Sequence, residues 1–240
     1  MTDPDDLDVA ADEVAWQFHP DRTAWAAVGV HSAADVARWA AFGITLGVLY
    51  EWRDACSGQG ADPDNLMTLP AIGPWLAAGF TTFDAVWEWL NSGFEPRTAA
   101  AWSRAGFDSE WVIGLRTEVS IEDAVRGWEA AGFVEVADRA WWTMLMYDPQ
   151  RARRWCDLIS GVYDRARHPS QWEEAGLAAR EWDLRGYAPE QAIGWIAVEI
   201  EIDFAADWIR YGFDDPVEVK ALLAEGHTDP TRALAARLSR

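Results

Sequence analysis

Glu199, Glu201 and Asp203 are the residues whose type and spacing come nearest to acid–base chemistry. Two such carboxylates can act as general acid and base when their surroundings push their pKa values apart. Here they fall between two helical segments. Glu199 stands where neighbouring segments carry a helix-stopping glycine, so the three read as solvated turn and cap groups. A second candidate, Asp62-Pro63-Asp64-Asn65, opens like a calcium loop. It fails at once, because Leu66 sits where a ligand belongs and Met67 where the sharp-turn glycine belongs. The histidines, His19, His31, His168 and His227, all fall in expected turns rather than in metal-ligand spacing. The sequence contains no G-x-G-x-x-G, P-loop, C-x-x-C or H-E-x-x-H pattern. No catalytic residue, metal or cofactor is therefore assigned, and the chain is expected not to be an enzyme.

A basic island is the remaining chemical feature. Arg151, Arg153, Arg154, Arg165 and Arg167 lie within 17 residues, offset in that span only by Asp157 and Asp164. Guanidinium groups grip phosphates, carboxylates or an acidic protein surface, so these five form a candidate anion- or partner-binding set. The competing reading is internal ion pairing with acidic neighbours on adjacent helices.

The island stands out because the chain is otherwise acidic: 40 Asp and Glu against 20 Lys and Arg give a formal charge of −20. That excludes a nucleic-acid binder working through a general basic surface. No apolar run approaches the ~18 residues of a membrane span. The start, MTDPDDLDVAADE, lacks the basic-then-apolar order of a secretory signal. Two cysteines, Cys56 and Cys156, are too few for a disulfide scaffold, so a reducing, cytoplasmic setting is expected. All the basic residues but Lys220 are arginine, and alanine is abundant, as in proteins of high-GC bacteria.

What must position any of these residues is a repeat. A glycine follows by four residues after Trp25, Trp39, Trp75, Trp89, Trp102, Trp128, Trp172, Trp182 and Trp208. Random placement of the glycines would give roughly one such pair. The residue after each of these glycines is apolar, and tryptophans recur every 13 or 14 residues, as from Trp182 to Trp195 to Trp208. Leu115 takes the tryptophan's place midway between Trp102 and Trp128. The unit is W-x-x-x-G-Φ-x-x-x-x-A-x-x, with Φ apolar.

Residues 93–107 show what the unit encodes. Pro96 suits a first helical turn, where its missing N–H costs nothing. Gly106 ends the helix, since glycine takes the left-handed conformation without steric cost. With Gly106 just past the end, Trp102 and Phe107 occupy the two positions that touch in a Schellman cap. Asp148-Pro149, Asp215-Pro216 and Asp229-Pro230 repeat the start, and Ser32…Asp35, Thr81…Asp84 and Ser170…Glu173 offer capping boxes. Each unit is one helix of about ten residues, too short to stand alone.

The expected fold is all-α: an α-solenoid or superhelix of about fourteen short single-helix repeats. Trp25, Trp39, Trp75, Trp89, Trp102, Trp128, Trp155, Trp182, Trp195 and Trp208 form the repeat core, with Gly79, Gly93, Gly106, Gly132, Gly186 and Gly212 as helix stops. The expected organisation is an acidic N-terminal tail or cap over 1–13, then one repeat domain over 14–240. Loop-like insertions are expected near 53–72 and 159–171, where the tryptophan spacing stretches. A chain devoted to one structural repeat, with surface charge as its main freedom, points to a non-catalytic protein–protein interaction module. An adaptor, inhibitor or immunity-type protein with a basic protein partner would fit, and self-association is compatible with it. Direct nucleic-acid binding and membrane binding are not expected. Two other classes compete: a DNA mimic inhibiting a nucleic-acid-binding protein, and a small-ligand binder or enzyme with a Trp-lined cavity.

Overall fold

Helix starts follow local chemistry. In a computed structural model describing residues 4–115 and 119–238, the Ser32, Thr45, Thr68 and Thr82 hydroxyls accept from backbone N–H groups three residues on. Asp108, Ser120 and Asp148 cap later helices in the same way, and Asp215 accepts from the Val217 N–H two residues on. Pro96, Pro149, Pro169, Pro189, Pro216 and Pro230 each open a helix. Some starts differ from expectation. Thr82, not Thr81, caps its helix, and Ser170 caps nothing because Pro169 begins that helix one residue earlier. Glu95 sits at its cap position without a side-chain hydrogen bond.

Among the described residues the chain is all-helical, with seventeen helices and no strand. It divides into two compact units, Met1–Thr117 and Glu118–Arg240. The boundary falls in the stretch between Trp111 and Trp128, which has no tryptophan.

The first unit holds α1 (Pro4–Gln17), α2 (Arg22–Ala27), α3 (Ala33–Ala41), α4 (Leu46–Gly58), α5 (Pro63–Leu66), α6 (Leu69–Ala78), α7 (Phe83–Leu90), α8 (Pro96–Arg104) and α9 (Ser109–Ile113). From residue 4 onward the expected acidic tail is helical, and α1 packs on α3. The Asp12 carboxylate accepts from the Ala34 N–H at 2.7 Å, placing an anion at the positive end of α3. The first expected insertion is mostly helix, not loop. The reason is a set of polar ties: Asp62 caps α5, Thr68 caps α6, and Arg53 donates to the Val28 and Pro63 carbonyls and pairs with Asp64. Leu115 follows Gly114 beyond the end of α9 instead of sitting inside a helix. Residues 116–118 lie outside the described set.

The second unit holds α10 (Ile121–Ala130), α11 (Val136–Met144), α12 (Pro149–Val162), α13 (Pro169–Leu184), α14 (Pro189–Ala197), α15 (Ile202–Arg210), α16 (Pro216–Ala224) and α17 (Pro230–Leu238). The second expected insertion shrinks to the turn between α12 and α13, where the Asp164 carbonyl accepts from the Arg167 and His168 N–H groups. Gly176, four residues after Trp172, does not end a helix. It lies inside α13, where a Cβ would come within 3.3 Å of the Trp141 ring nitrogen.

Helix ends share one geometry. The N–H groups of Val30, Ile44, Phe80, Phe107, Phe133, Tyr187 and Phe213 donate to the carbonyls of Trp25, Trp39, Trp75, Trp102, Trp128, Trp182 and Trp208 at 3.0–3.2 Å. This is the six-residue bond of a Schellman cap. Gly79, Gly93, Gly106, Gly132, Gly186 and Gly212 all have left-handed backbone. Only at Gly93 is the bond replaced: the Phe94 N–H turns to the Ser92 hydroxyl at 3.4 Å. The side chains follow the backbone. Trp102 meets Phe107 edge-on at 5.3 Å between ring centres, Trp128 meets Phe133 at 5.3 Å and Trp208 meets Phe213 at 5.1 Å. Five of these seven caps thus bring an aromatic pair together, while at Val30 and Ile44 the tryptophan's partner is aliphatic. Trp25, Trp39, Trp75, Trp89, Trp102, Trp128, Trp155, Trp182, Trp195 and Trp208 are all buried.

Candidate functional site

The five arginines of the basic island sit in the second unit, and each one faces a carboxylate. Arg151 forms a two-pronged pair with Asp183 at 2.6 and 2.7 Å, and Arg154 does the same with Glu190 at 2.5 and 2.6 Å. Arg165 reaches Asp138 at 2.6 Å and lies over the Trp172 ring at 4.5 Å. Arg153 pairs with Asp157 one turn on, and Arg167 with Asp164 at 3.4 Å. The island is therefore neutralised internally, and two-pronged Arg–carboxylate geometry is the strong form of such pairing.

The Arg151–Asp183 pair anchors a buried network between α12 and α13. The Trp155 ring N–H donates to Asp183 at 3.1 Å, and the buried Tyr147 phenol lies within electrostatic reach of the same carboxylate. Burial alone would raise the Asp183 pKa, but the hydrogen bonds from Arg151 and Trp155, with the Arg151 charge, outweigh it and hold the group below the ordinary carboxylate value. The Tyr147 phenol is pushed far above its usual range, first by burial and then by the Asp183 charge.

With the arginines consumed, unpaired negative charge collects elsewhere in this unit. A cleft of about 590 Å³ runs between one face of α13 and the α14–α15 turn. Its floor is apolar: Ala175, Ala178, Trp182, Ile196, Ile200 and Ile202. Its walls carry Glu174 and Glu181 from α13 and Glu199, Glu201 and Asp203 from the turn. Glu174 and Glu181 are seven residues apart, so they share a helix face about 10 Å apart. Arg185 pairs with Asp203. Among the described residues no salt bridge engages Glu174, Glu181, Glu199 or Glu201. Tyr163 closes the cleft, donating to the Ile196 carbonyl at 3.4 Å. Its phenol is pushed up by burial first and then by the Glu199 and Glu174 charges, so carboxylates from both walls act on one point.

The turn carboxylates are exposed turn and cap-position residues, as the sequence suggests, but they do not cap through their side chains. Glu201 occupies the N-cap position of α15 without a side-chain cap hydrogen bond. Glu199 has φ of +59°, a conformation unfavourable for any residue with a Cβ. Replacing it with glycine relieves that cost, so Glu199→Gly is expected to raise stability by about 1 kcal/mol in a denaturant melt. A destabilised variant would contradict the strain. The sequence signal for the site is a helix stop without glycine, Glu199, a feature it shares with Met146. The wall from α13 had no signal of its own, because only packing brings it opposite the turn.

The first unit has a cleft of about 670 Å³, lined by Val30, Trp39, Phe42, Met67, Leu69 and Pro74 among others. Its lining charges, Asp35 and Arg38, pair with each other at 3.1 Å. It offers a ligand little polar recognition.

Neither thiol is set up as a nucleophile. Cys56 is buried and Cys156 half-buried, and burial pushes both above the usual thiol range. His168 begins α13 without a cap hydrogen bond, and the His19 ring accepts from the Asp21 N–H. Lys220, the single lysine, donates to the Val198 carbonyl at 3.1 Å, just behind Glu199. No described helix is long and apolar enough to cross a membrane.

No protein-family profile matches the chain, and comparison with curated proteins and with solved structures likewise finds no match.

Proposed function

We propose that the chain is a non-catalytic protein–protein interaction module, of adaptor, inhibitor or immunity type, presenting an acidic solenoid surface to a basic partner. The supporting observation is the division of charge. The basic island is spent on internal pairs, while of the five cleft carboxylates Asp203 has Arg185 and the other four join no salt bridge among the described residues. Such a surface attracts a cationic protein from a distance and repels other anions.

The solenoid reading is supported within each unit by which helices touch. In the second, α12 packs on α13 and α14, α13 on α14, and α14 on α16. In the first, α6 packs on α8 and α7 on both α8 and α9. Contacts between a helix and its next or next-but-one neighbour are those of a stacked array. In this reading W-x-x-x-G-Φ is the repeat unit and the tryptophans fill the gaps between successive helices. The two unpaired cysteines suit a reducing, cytoplasmic setting.

Capture of the tagged full chain from its own host is expected to recover a stable partner with a basic isoelectric point, released at high salt. Elution of the chain alone at low salt in repeated captures would overturn the proposal.

A further inference from the structure

The cleft of the second unit combines two features that one ligand type satisfies together. Its floor is apolar, and its two walls carry five carboxylates. Arg185 pairs with Asp203 and also feels the Glu181 charge, but among the described residues no salt bridge engages Glu174, Glu181, Glu199 or Glu201. A small neutral ligand would leave those carboxylates unused, and an anion would be repelled. A cation on a long aliphatic stem uses both: the stem lies on Ala178, Ile200 and Ile202 while the head reaches a wall. Arginine and lysine side chains have that form.

We infer that this cleft is the docking groove for a basic segment of a partner protein, whose arginine or lysine stems lie on the apolar floor between the carboxylates of α13 and those of the α14–α15 turn. The inference rests on the interaction-module reading and gives it a place. Charge complementarity selects the occupant, and helix geometry adds a spacing. Glu174 and Glu181 are two turns apart, about 10 Å. An extended polyproline-type chain brings every third residue to the same side at about 9 Å intervals. A segment with a basic residue at every third position therefore meets both glutamates of α13, with the turn carboxylates opposite.

The probe is a fluorescein-labelled peptide, Arg-Pro-Leu-Arg-Pro-Leu-Arg, titrated with the full chain and followed by fluorescence anisotropy. The triple variant Glu174→Gln, Glu181→Gln, Glu199→Gln is expected to bind about tenfold more weakly or worse. A matched triple variant in the first unit, Asp84→Asn, Glu88→Gln, Glu110→Gln, removes the same charge. Glu88 is held above the ordinary carboxylate range, first by burial and then by the Asp108, Asp84 and Glu110 charges, so this variant relieves repulsion. It is expected to keep affinity within about twofold. Ala178→Leu fills the floor without changing charge and is expected to weaken binding; circular dichroism and melting confirm that each variant is folded.

Equal losses in the two triple variants would overturn the groove, since they would show attraction to the general surface charge. Unchanged binding by Ala178→Leu would overturn it too, as would spermidine displacing the peptide at lower concentration than the peptide's own unlabelled form. The groove and the module fail separately. A partner captured equally well by the cleft triple variant, and still salt-labile, sinks the groove alone. Cleft-dependent peptide binding with no partner captured from the host sinks the module reading and leaves the groove.

Discussion

Trp208→Ala is expected to lower stability by about 3–5 kcal/mol in a urea melt, the cost of deleting a fully buried aromatic side chain that its surroundings cannot collapse around. Trp208 is completely buried. Its ring meets Phe213 edge-on, and its carbonyl accepts the hydrogen bond that closes the cap of α15. Removing the ring therefore loosens the packing that holds the helix end. The ring nitrogen has no hydrogen-bond partner among the described residues, so it contributes a desolvation penalty to the native state. Trp208→Phe removes that penalty and keeps much of the volume, and is expected to cost only about 1–2 kcal/mol. Hydrogen exchange locates the damage: protection should fall most in α14–α17, because a stacked array passes stability between neighbours. A loss below about 1 kcal/mol for Trp208→Ala would show that these rings do not carry the core.

Asp183 is the polar counterpart. Asp183→Ala is expected to cost about 2–3 kcal/mol, because it removes the acceptor for both the Arg151 guanidinium and the Trp155 ring N–H. The figure sits below the full cost of breaking a buried pair because Arg151 is 46% exposed and recovers water. The charge also makes a pH signature. The Asp183 pKa is lower in the folded chain than its ordinary value of 3.8. Its contribution is therefore fully present above that value and lost as pH falls through the lower, folded value. Melts of the native chain and of Asp183→Asn, compared from neutral pH downward, should show a constant gap that closes only in that acid range. A gap that stayed constant throughout would mean that the carboxylate's charge is not what stabilises the network.

How much of this was legible in the residues depends on how local the cause is. The helix stop at Gly106 and the Trp102–Phe107 contact lie within six residues of each other, and capping chemistry dictates both. Thr68 and Asp62 capped helices inside a stretch that composition alone marks as loop, because Gly, Asp and Pro serve helix ends as readily as loops. Gly176 misleads in the other direction. It makes room for Trp141, a residue 35 positions away, and nothing near it in sequence says so. The arginine island could be read two ways because Arg151, Arg154 and Arg165 find their acids 27–36 residues off. The cleft is divided likewise: Glu199, Glu201 and Asp203 drew notice as neighbours in sequence, whereas Glu174 and Glu181 join them only through the packing of α13 on α14.

The lone lysine has a practical consequence for whoever maps this molecule's contacts. In these 240 residues Lys220 is the sole side-chain amine, and its nitrogen already serves the backbone at Val198. Reagents that join proteins through lysines will find almost no foothold here, and a silent cross-linking experiment would say nothing about association. Carbodiimide coupling, which activates acids, suits the chain far better: the partner would bring the amines, and the bonds formed would report which glutamates it covered.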